Sequence, residues 1–277
     1  MSNQPYHFEV GSFSCVAVCD ADELTSVEEM YPDIPGDELA SAIHALGYPV
    51  DAVPMSSTGL AIRAGDQWVL VDAGLPQGDG EYQGHLLRDL QAENIAPQDI
   101  RLIIITHGHG DHVGGLINAA GELNYPNARY FMWKSDWDHW MSDAALAAVD
   151  ERRAAARRAL YLPIRDKLTL VEAEMDVVPG IRLVSLAGHT PGHCGVFLES
   201  DGERLLNIAD MVHTPMQVQH PEWHCAYDTD PDQAVGVRRT WFARAAQDNL
   251  LTMAFHLPFP GLGHIVQDGA TWKWQPI

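Results

Sequence analysis

Apolar residues gather in short runs along this chain, and the polar positions around each run tell what it forms. FSCVAVC (13–19), LAIRA (60–64) and WVLVDAG (68–74) have the composition and bounds of strands. HLLRDLQAENI (85–95) carries its apolar residues at helical spacing, and RLIII (101–105) reads as a strand buried on both faces. From 112 onward the two kinds alternate. VGGLINAA predicts a short helix, ARYFMW a strand, and DAALAAVDERRAAARRALY one strong helix rich in alanine and arginine. The second half repeats the rhythm, with strands at GIRLVSLAG, CGVFLES, RLLNIAD and LLTMAFH and a helix over 231–247. No linker, low-complexity tract or repeat separates the halves, which predicts one layered α/β domain over 1–277.

The stretch 21–57 departs from this rhythm, being rich in Asp, Glu and Pro around one helical piece, DELASAIHALG. Asp37 is expected to cap that helix and Gly47 to stop it. The stretch is too long for a bare connection and reads as an elaborated loop near a working face.

Composition narrows the partners. The chain has 277 residues and a formal net charge of −21, which repels phosphate backbones and anionic lipid surfaces. A small neutral or weakly charged substrate is therefore expected, rather than nucleic acid or membrane; a homodimer is left open. Cys15, Cys19, Cys194 and Cys225 are too scattered for a disulfide framework and are expected as buried free thiols. MSNQPYHFEV lacks a basic region followed by an apolar core, and no apolar stretch approaches the roughly 20 residues that span a bilayer. A cytoplasmic protein is the expectation.

Candidate chemistry concentrates in THGHGDHVGG (106–115), directly after the strand RLIII. On a helix His107 and His109 would point about 200° apart, so a loop at a strand end must bring such residues together, and Gly108 and Gly110 allow the tight backbone. Downstream, GHTPGH (188–193) places His189 after a strand, NIAD ends another on Asp210, and MAFH ends a third on His256. Imidazole and carboxylate are the ligands that zinc and similar divalent ions take, commonly from loops at strand ends.

HxHxDH, the His of GHTPGH, the strand-ending Asp and the final His together resemble the metallo-β-lactamase superfamily, and VDAG (71–74) is similar to that family's Asp-Gly turn. The resemblance runs from about residue 58 to 267. It implies a four-layer αββα sandwich with two metal ions at one edge. One ion would take His107, His109 and His189, the other Asp111, His112 and His256, with Asp210 between both. It also implies a bridging hydroxide as nucleophile, since metals lower the pKa of water to about 7. Zinc leads as the ion, and iron, manganese or cobalt suit the same donors. Asp72 is expected to hold a ligand imidazole rather than to ligate. His193 and His264 are expected in structural or supporting roles, and His7, His44, His85 and His139 as ordinary surface or core residues. MWKSDWDHW (132–140) either packs two tryptophans into the core or walls the substrate pocket.

DMVHTPMQVQHP (210–221) and FHLPFPGLGH (255–264) resemble methyl parathion hydrolase and its relatives, which implies a phosphotriester, aryl ester or lactone as substrate. Acyl-homoserine lactonases of the superfamily typically carry Tyr three positions after the bridging Asp, where this chain has His213. Asp111, as proton carrier, and His213, as hydrogen-bond donor, are the catalytic candidates beyond the ligands. A glyoxalase II-like thioesterase shares the ligands but is expected to add a basic C-terminal extension, and only Lys273 lies beyond His256. A non-catalytic effector-binding module would arise most simply by loss of ligands, and the sequence keeps all seven.

Overall fold

The computed structural model describes residues 3–78 and 82–277. The first sheet has the order β1 (Tyr6–Val10), β2 (Phe13–Thr25), β3 (Val53–Ala64), β4 (Gln67–Val71), β5 (Ile100–Ile105), β6 (Arg129–Trp133) and β7 (Leu168–Val171). The second comprises β8 (Met175–Val178), β9 (Ile181–Ser185), β10 (Cys194–Ser200), β11 (Glu203–Ala209), β12 (Leu251–Ala254), β13 (Leu262–Asp268) and β14 (Thr271–Pro276), again neighbouring in chain order. Strands β4 to β7 are parallel, as are β11 and β12, and the remaining pairs are antiparallel.

Helices cover both outer faces: α1 (Gly36–Ala45), α2 (Leu86–Ala92), α3 (Gly110–Val113), α4 (Lys134–Met141), α5 (Asp143–Ala147), α6 (Glu151–Tyr161), α7 (Met216–Gln219) and α8 (Pro231–Asp248). Period-two alternation decides which side chain faces which layer. Leu60, Ile62, Val69, Val71, Leu102 and Ile104 point between the sheets, where they meet Ile181, Val196, Leu205 and Met253. Their neighbours Ala61, Leu70, Ile103 and Ile105 point outward onto Leu86 and Leu90 of α2 and Tyr161 of α6. On the far side Val184, Leu206 and Ile208 pack against Trp241, Phe242 and Ala245 of α8. The result is an αββα sandwich, and the two covered faces explain why the strands read as nearly continuous apolar runs. All four cysteines are buried and free. No described helix is long and apolar enough to cross a membrane.

Three elements differ from the sequence reading. The stretch 21–57 is loop only in its middle, because β2 runs on to Thr25 and β3 begins at Val53. That middle folds on a small core of its own, Val27, Met30, Tyr31, Leu39 and Ile43 packing on Met216 and Trp223. Helix α1 starts two residues earlier than expected, with Pro35 at its N-cap and no side-chain cap; Asp37 lies in the first turn, where it favours the helix dipole instead. The single helix expected over 143–161 is two. Ser142 caps α5 and Asp150 caps α6, each accepting a hydrogen bond from a backbone N–H three residues on. An aspartate offered at that point competes with helix continuation, and local capping wins over alanine's propensity. Asp150→Ala removes that alternative and is expected to cost about 1 kcal/mol of stability, read as a lower midpoint in denaturant titration.

Candidate metal centre

Every candidate ligand sits where a strand gives out, on one rim of the sandwich. β5 ends at Ile105, and the next residues, Thr106 to His109, form the loop that the glycines of the motif allow. The short helix expected from 113 onward starts at Gly110 instead, with His109 at its N-cap, so Asp111 and His112 lie on α3. His189 belongs to the loop between β9 and β10; Asp210 follows β11 directly, and His256 lies two residues past β12. Ala209 has a left-handed backbone (φ 43°), and its N–H donates to Asn207 Oδ1 at 2.9 Å, which turns Asp210 off the strand. A non-glycine residue in that region costs on the order of 1–3 kcal/mol, strain of the kind that gathers at functional sites.

The rim brings the seven residues together in two groups, His107, His109, His189 and Asp210, and Asp111, His112, Asp210 and His256, each with its donor atoms within 4.8 Å of one another. In the first, His109 Nδ1 stands 2.9 Å from His107 Nε2 and 3.0 Å from His189 Nε2. Asp210 faces both groups: Oδ1 lies 3.2 Å from His112 Nε2, while Oδ2 lies 3.2 Å from His256 Nε2 and 3.5 Å from His189 Nε2. Asp111 Oδ2 is 3.4 Å from His256 Nε2.

Supporting contacts fix which nitrogen of each ring turns inward. His112 Nδ1 donates to Asp72 Oδ2 at 2.8 Å, and Asp72 also accepts from the Thr106 N–H and hydroxyl. His189 Nδ1 donates to Asp228 Oδ1 at 3.0 Å, and His256 Nδ1 to the Ser56 carbonyl at 3.2 Å. In the neutral ring each contact leaves the Nε2 lone pair toward the shared point. Asp72 thus holds the ring of a candidate ligand. His193 spans 186 and 210, its Nδ1 donating to the Leu186 carbonyl and its Nε2 accepting from the Asp210 N–H at 3.2 Å.

These residues fit a divalent ion on their own chemistry. His112 Nε2 and Asp210 Oδ1 are buried and face one another at 3.2 Å without hydrogen-bond geometry and with no other partner, a costly state that a cation between them would complete. Burial holds His107 well below the imidazole range and His189 down to about 3, so these rings are neutral, the ligand form. Burial also opposes charge on His112 and His256, yet Asp210 and Asp111 outweigh it, raising His112 well above the imidazole range and His256 to about 9. Both carboxylates draw positive charge to this point.

The centre floors a cleft of about 400 Å³ lined by Glu23, Thr25, Met30, Met55, His213 and Tyr227 beside the candidate ligands. His213 Nε2 lies 3.6 Å from Asp210 Oδ2, and its ring stacks on His256 with centroids 5.2 Å apart. The tryptophans of 132–140 do not wall this cleft. Trp137 and Trp140 pack into the core under α4, and Trp140 meets the edge of His109 at 5.5 Å. Trp223 is buried too, stacked on His220. The apolar walls come from Met30, Met55 and Tyr227, which carry no motif and went unread in the sequence.

The sequence matches the metallo-beta-lactamase superfamily over residues 52–261. The chain belongs to that superfamily. Among curated members, an N-acyl homoserine lactonase of Bacillus thuringiensis is 27% identical over 161 residues, covering 50% of this chain and 58% of the lactonase. The chain therefore spans less than two thirds of that relative's length. Two solved metallo-beta-lactamase folds cover nearly all of it. AidC, a dizinc quorum-quenching lactonase in complex with the product N-hexnoyl-L-homoserine, superposes with a TM-score of 0.89 at 25% identity, over 99% of this chain and 97% of its own. The hydrolase AbOPH superposes with a TM-score of 0.90 at 28% identity, over 100% and 98%.

Missed by motif reasoning were the buried groups behind the ligands. Arg238, fully buried on α8, donates to the Met211 and Trp223 carbonyls and to Asp228 Oδ2 at 2.6 Å, tying 211–228 to the helix that covers it. Burial opposes the Asp228 charge, but His189 and Arg238 hold its carboxyl well below the usual range. Asp228→Ala would strand the Arg238 charge and is expected to cost about 3–5 kcal/mol at neutral pH. A carboxyl with a depressed pKa contributes stability above the unfolded value of about 3.9 and loses it as pH falls, so the gap to wild type should close in acid. Denaturant titrations at both pH values check the two parts.

Proposed function

We propose that this chain is a dinuclear metal hydrolase of small neutral lactones and esters, with Zn²⁺ the first candidate ion. The observation that carries the reading is the convergence of five imidazoles and two carboxylates, with His112 Nε2 and Asp210 Oδ1 left without a hydrogen-bond partner, on the floor of an apolar-walled cleft. His107, His109 and His189 would hold one ion, Asp111, His112 and His256 the second, and Asp210 both. When bound, such ions polarise a carbonyl or phosphoryl oxygen and lower the pKa of water to about 7.

The chain's own residues do the rest. Asp111, with 26% of its side chain exposed, faces the cleft from α3, where a carboxylate can pass a proton to the leaving group. His213 donates to the charge that develops on the attacked group; burial opposes its protonation, and Cys225 and Asp210 outweigh that, raising its pKa. Met30, Met55 and Tyr227 receive an acyl or aryl portion. Glu23 at the wall and the net charge of −21 turn anionic substrates away.

The likeness to AidC and to the Bacillus lactonase supports a lactone. His213, in place of the tyrosine typical of acyl-homoserine lactonases, together with the segments 210–221 and 255–264, favours a second reading in which aryl esters or phosphotriesters are also cleaved. A panel of lactones, aryl esters, phosphotriesters and a glutathione thioester separates these, and dominant thioester turnover would overturn both.

Elemental analysis of protein purified without chelator should find two ions per chain; a ratio that stays at one or below after metal addition sinks the dinuclear reading. His213→Phe should lower kcat by roughly ten- to a thousandfold with little change in KM, the signature of a contact made mainly in the transition state. A changed KM at constant kcat would make His213 a pocket wall only.

A further inference from the structure

The loops that carry the three histidines of the first group arise far apart in sequence, and one side chain outside the ligand set joins them. Asp136, on the first turn of α4, is completely buried. Its Oδ1 accepts the Gly108 N–H at 2.9 Å, from the peptide between His107 and His109, and the Trp140 Nε1–H at 2.9 Å. Its Oδ2 accepts the Gly192 N–H at 3.2 Å and the hydroxyl of Thr190, the residue after His189. Four donors from three segments therefore meet one carboxylate.

Other contacts press the same parts together. Tyr161 donates to the Gly108 carbonyl at 2.8 Å, so both polar groups around that glycine are held from the helical layer, and Ser135 donates to the Pro191 carbonyl at 3.0 Å. A Cβ on Gly108 would stand 2.3 Å from the Tyr161 hydroxyl, and one on Gly192 would stand 2.4 Å from the Asp136 nitrogen. The loops lie on α4 with no slack. The second group has no such link to α4, since Asp111, His112 and His256 are held through Asp72, α3 and Ser56.

We propose that Asp136 is a positioning residue for one half of the metal centre, setting the spacing of His107 and His109 against His189. This rests on the dinuclear reading above. The carboxylate matters more than the shape, because only acceptors meet four donors. In Asp136→Asn the amide NH₂ would lose both N–H partners if it faced Gly108 and Trp140, and the Gly192 N–H if it faced the Thr190 hydroxyl, which alone can turn to accept, so at least one bond to a histidine loop is lost. Loosening the loops weakens a three-imidazole site, since mutation of the groups that hold metal ligands in place commonly costs about 10- to 100-fold in affinity.

The test is equilibrium dialysis of the full-length protein against graded chelator with Zn²⁺, followed by metal analysis, beside circular dichroism and thermal denaturation. Wild type should release two ions in overlapping steps. Asp136→Asn should release one of them at least tenfold more readily and keep the other at wild-type affinity, the pattern His109→Ala should show in the extreme and His256→Ala should not. Thr190→Val deletes one donor and should shift the same step in the same direction, whereas Thr190→Ser restores the hydroxyl and the affinity. If Asp136→Asn does not fold, the Thr190 pair decides. Two ions held at wild-type affinity in the variants, or both lost in equal measure, would overturn the proposal. A wild type that itself binds one ion or none would point to failure of the dinuclear reading instead.

Discussion

The carboxylate of Asp210 is the constraint around which this molecule is arranged. It is buried, one oxygen faces His112, and the other faces His107, His189 and His256. A lone carboxylate carried out of water costs several kcal/mol, and positive charge on His112 and His256, whose pKa values the carboxylate raises, or on a bound cation, offsets that. The geometry is stable only with positive charge at its centre. Its placement rests on backbone: the parallel pairing of β11 with β12, the irregularity between Asn207 and Ala209, and the left-handed turn at Ala209. From the other sheet, the Thr106 carbonyl accepts the Cys194 N–H at 3.0 Å, fixing the distance across which the two sets of ligands meet.

Around that point other buried acids hold the parts in place. Asp72, Asp136 and Asp228 each accept several hydrogen bonds and each reach a different part of the ligand set: the His112 ring, the loops of His107 and His189, and the His189 ring. Asp20, equally buried, accepts the Leu75 and Leu86 N–H groups and joins the turn after β4 to the start of α2. The acidity of the chain is thus partly internal.

Much of this was legible in the sequence, because ligands at strand ends leave a local mark: an apolar run, then a histidine or aspartate beside glycine. Apolar runs marked β2 to β6 and β9 to β12 but not the edge strands β1, β7, β8 and β14 or the neighbouring β13, and the spacing of HxHxDH required a loop. What stayed hidden was set by tertiary contact. Asp136 lies in a run whose tryptophans draw attention, yet its importance comes from Gly108 and Gly192, 28 and 56 positions away. Arg238 reads as one more surface arginine on α8 until Asp228 folds beneath it. Met30 and Met55 line the cleft because β2 and β3 run on past the other strands and carry their connection over the rim, and Tyr227 reaches it from the segment between α7 and α8. The break between α5 and α6 was missed because alanine content outweighed two short caps in the reading, and the chain weighs them the other way.

The division of donors between the two sheets bears on how the protein matures. His107, His109, Asp111 and His112 precede the other three, which belong to the second half of the chain. Translation proceeds at about 5–20 residues per second, so His256 is made roughly 7–30 seconds after His112. A nascent chain through β7 presents a partial donor set on a half-built sandwich, open on the face that the second sheet will cover. Each four-donor group needs Asp210 and one histidine from the second half of the chain, so neither is complete until that half has folded onto the first.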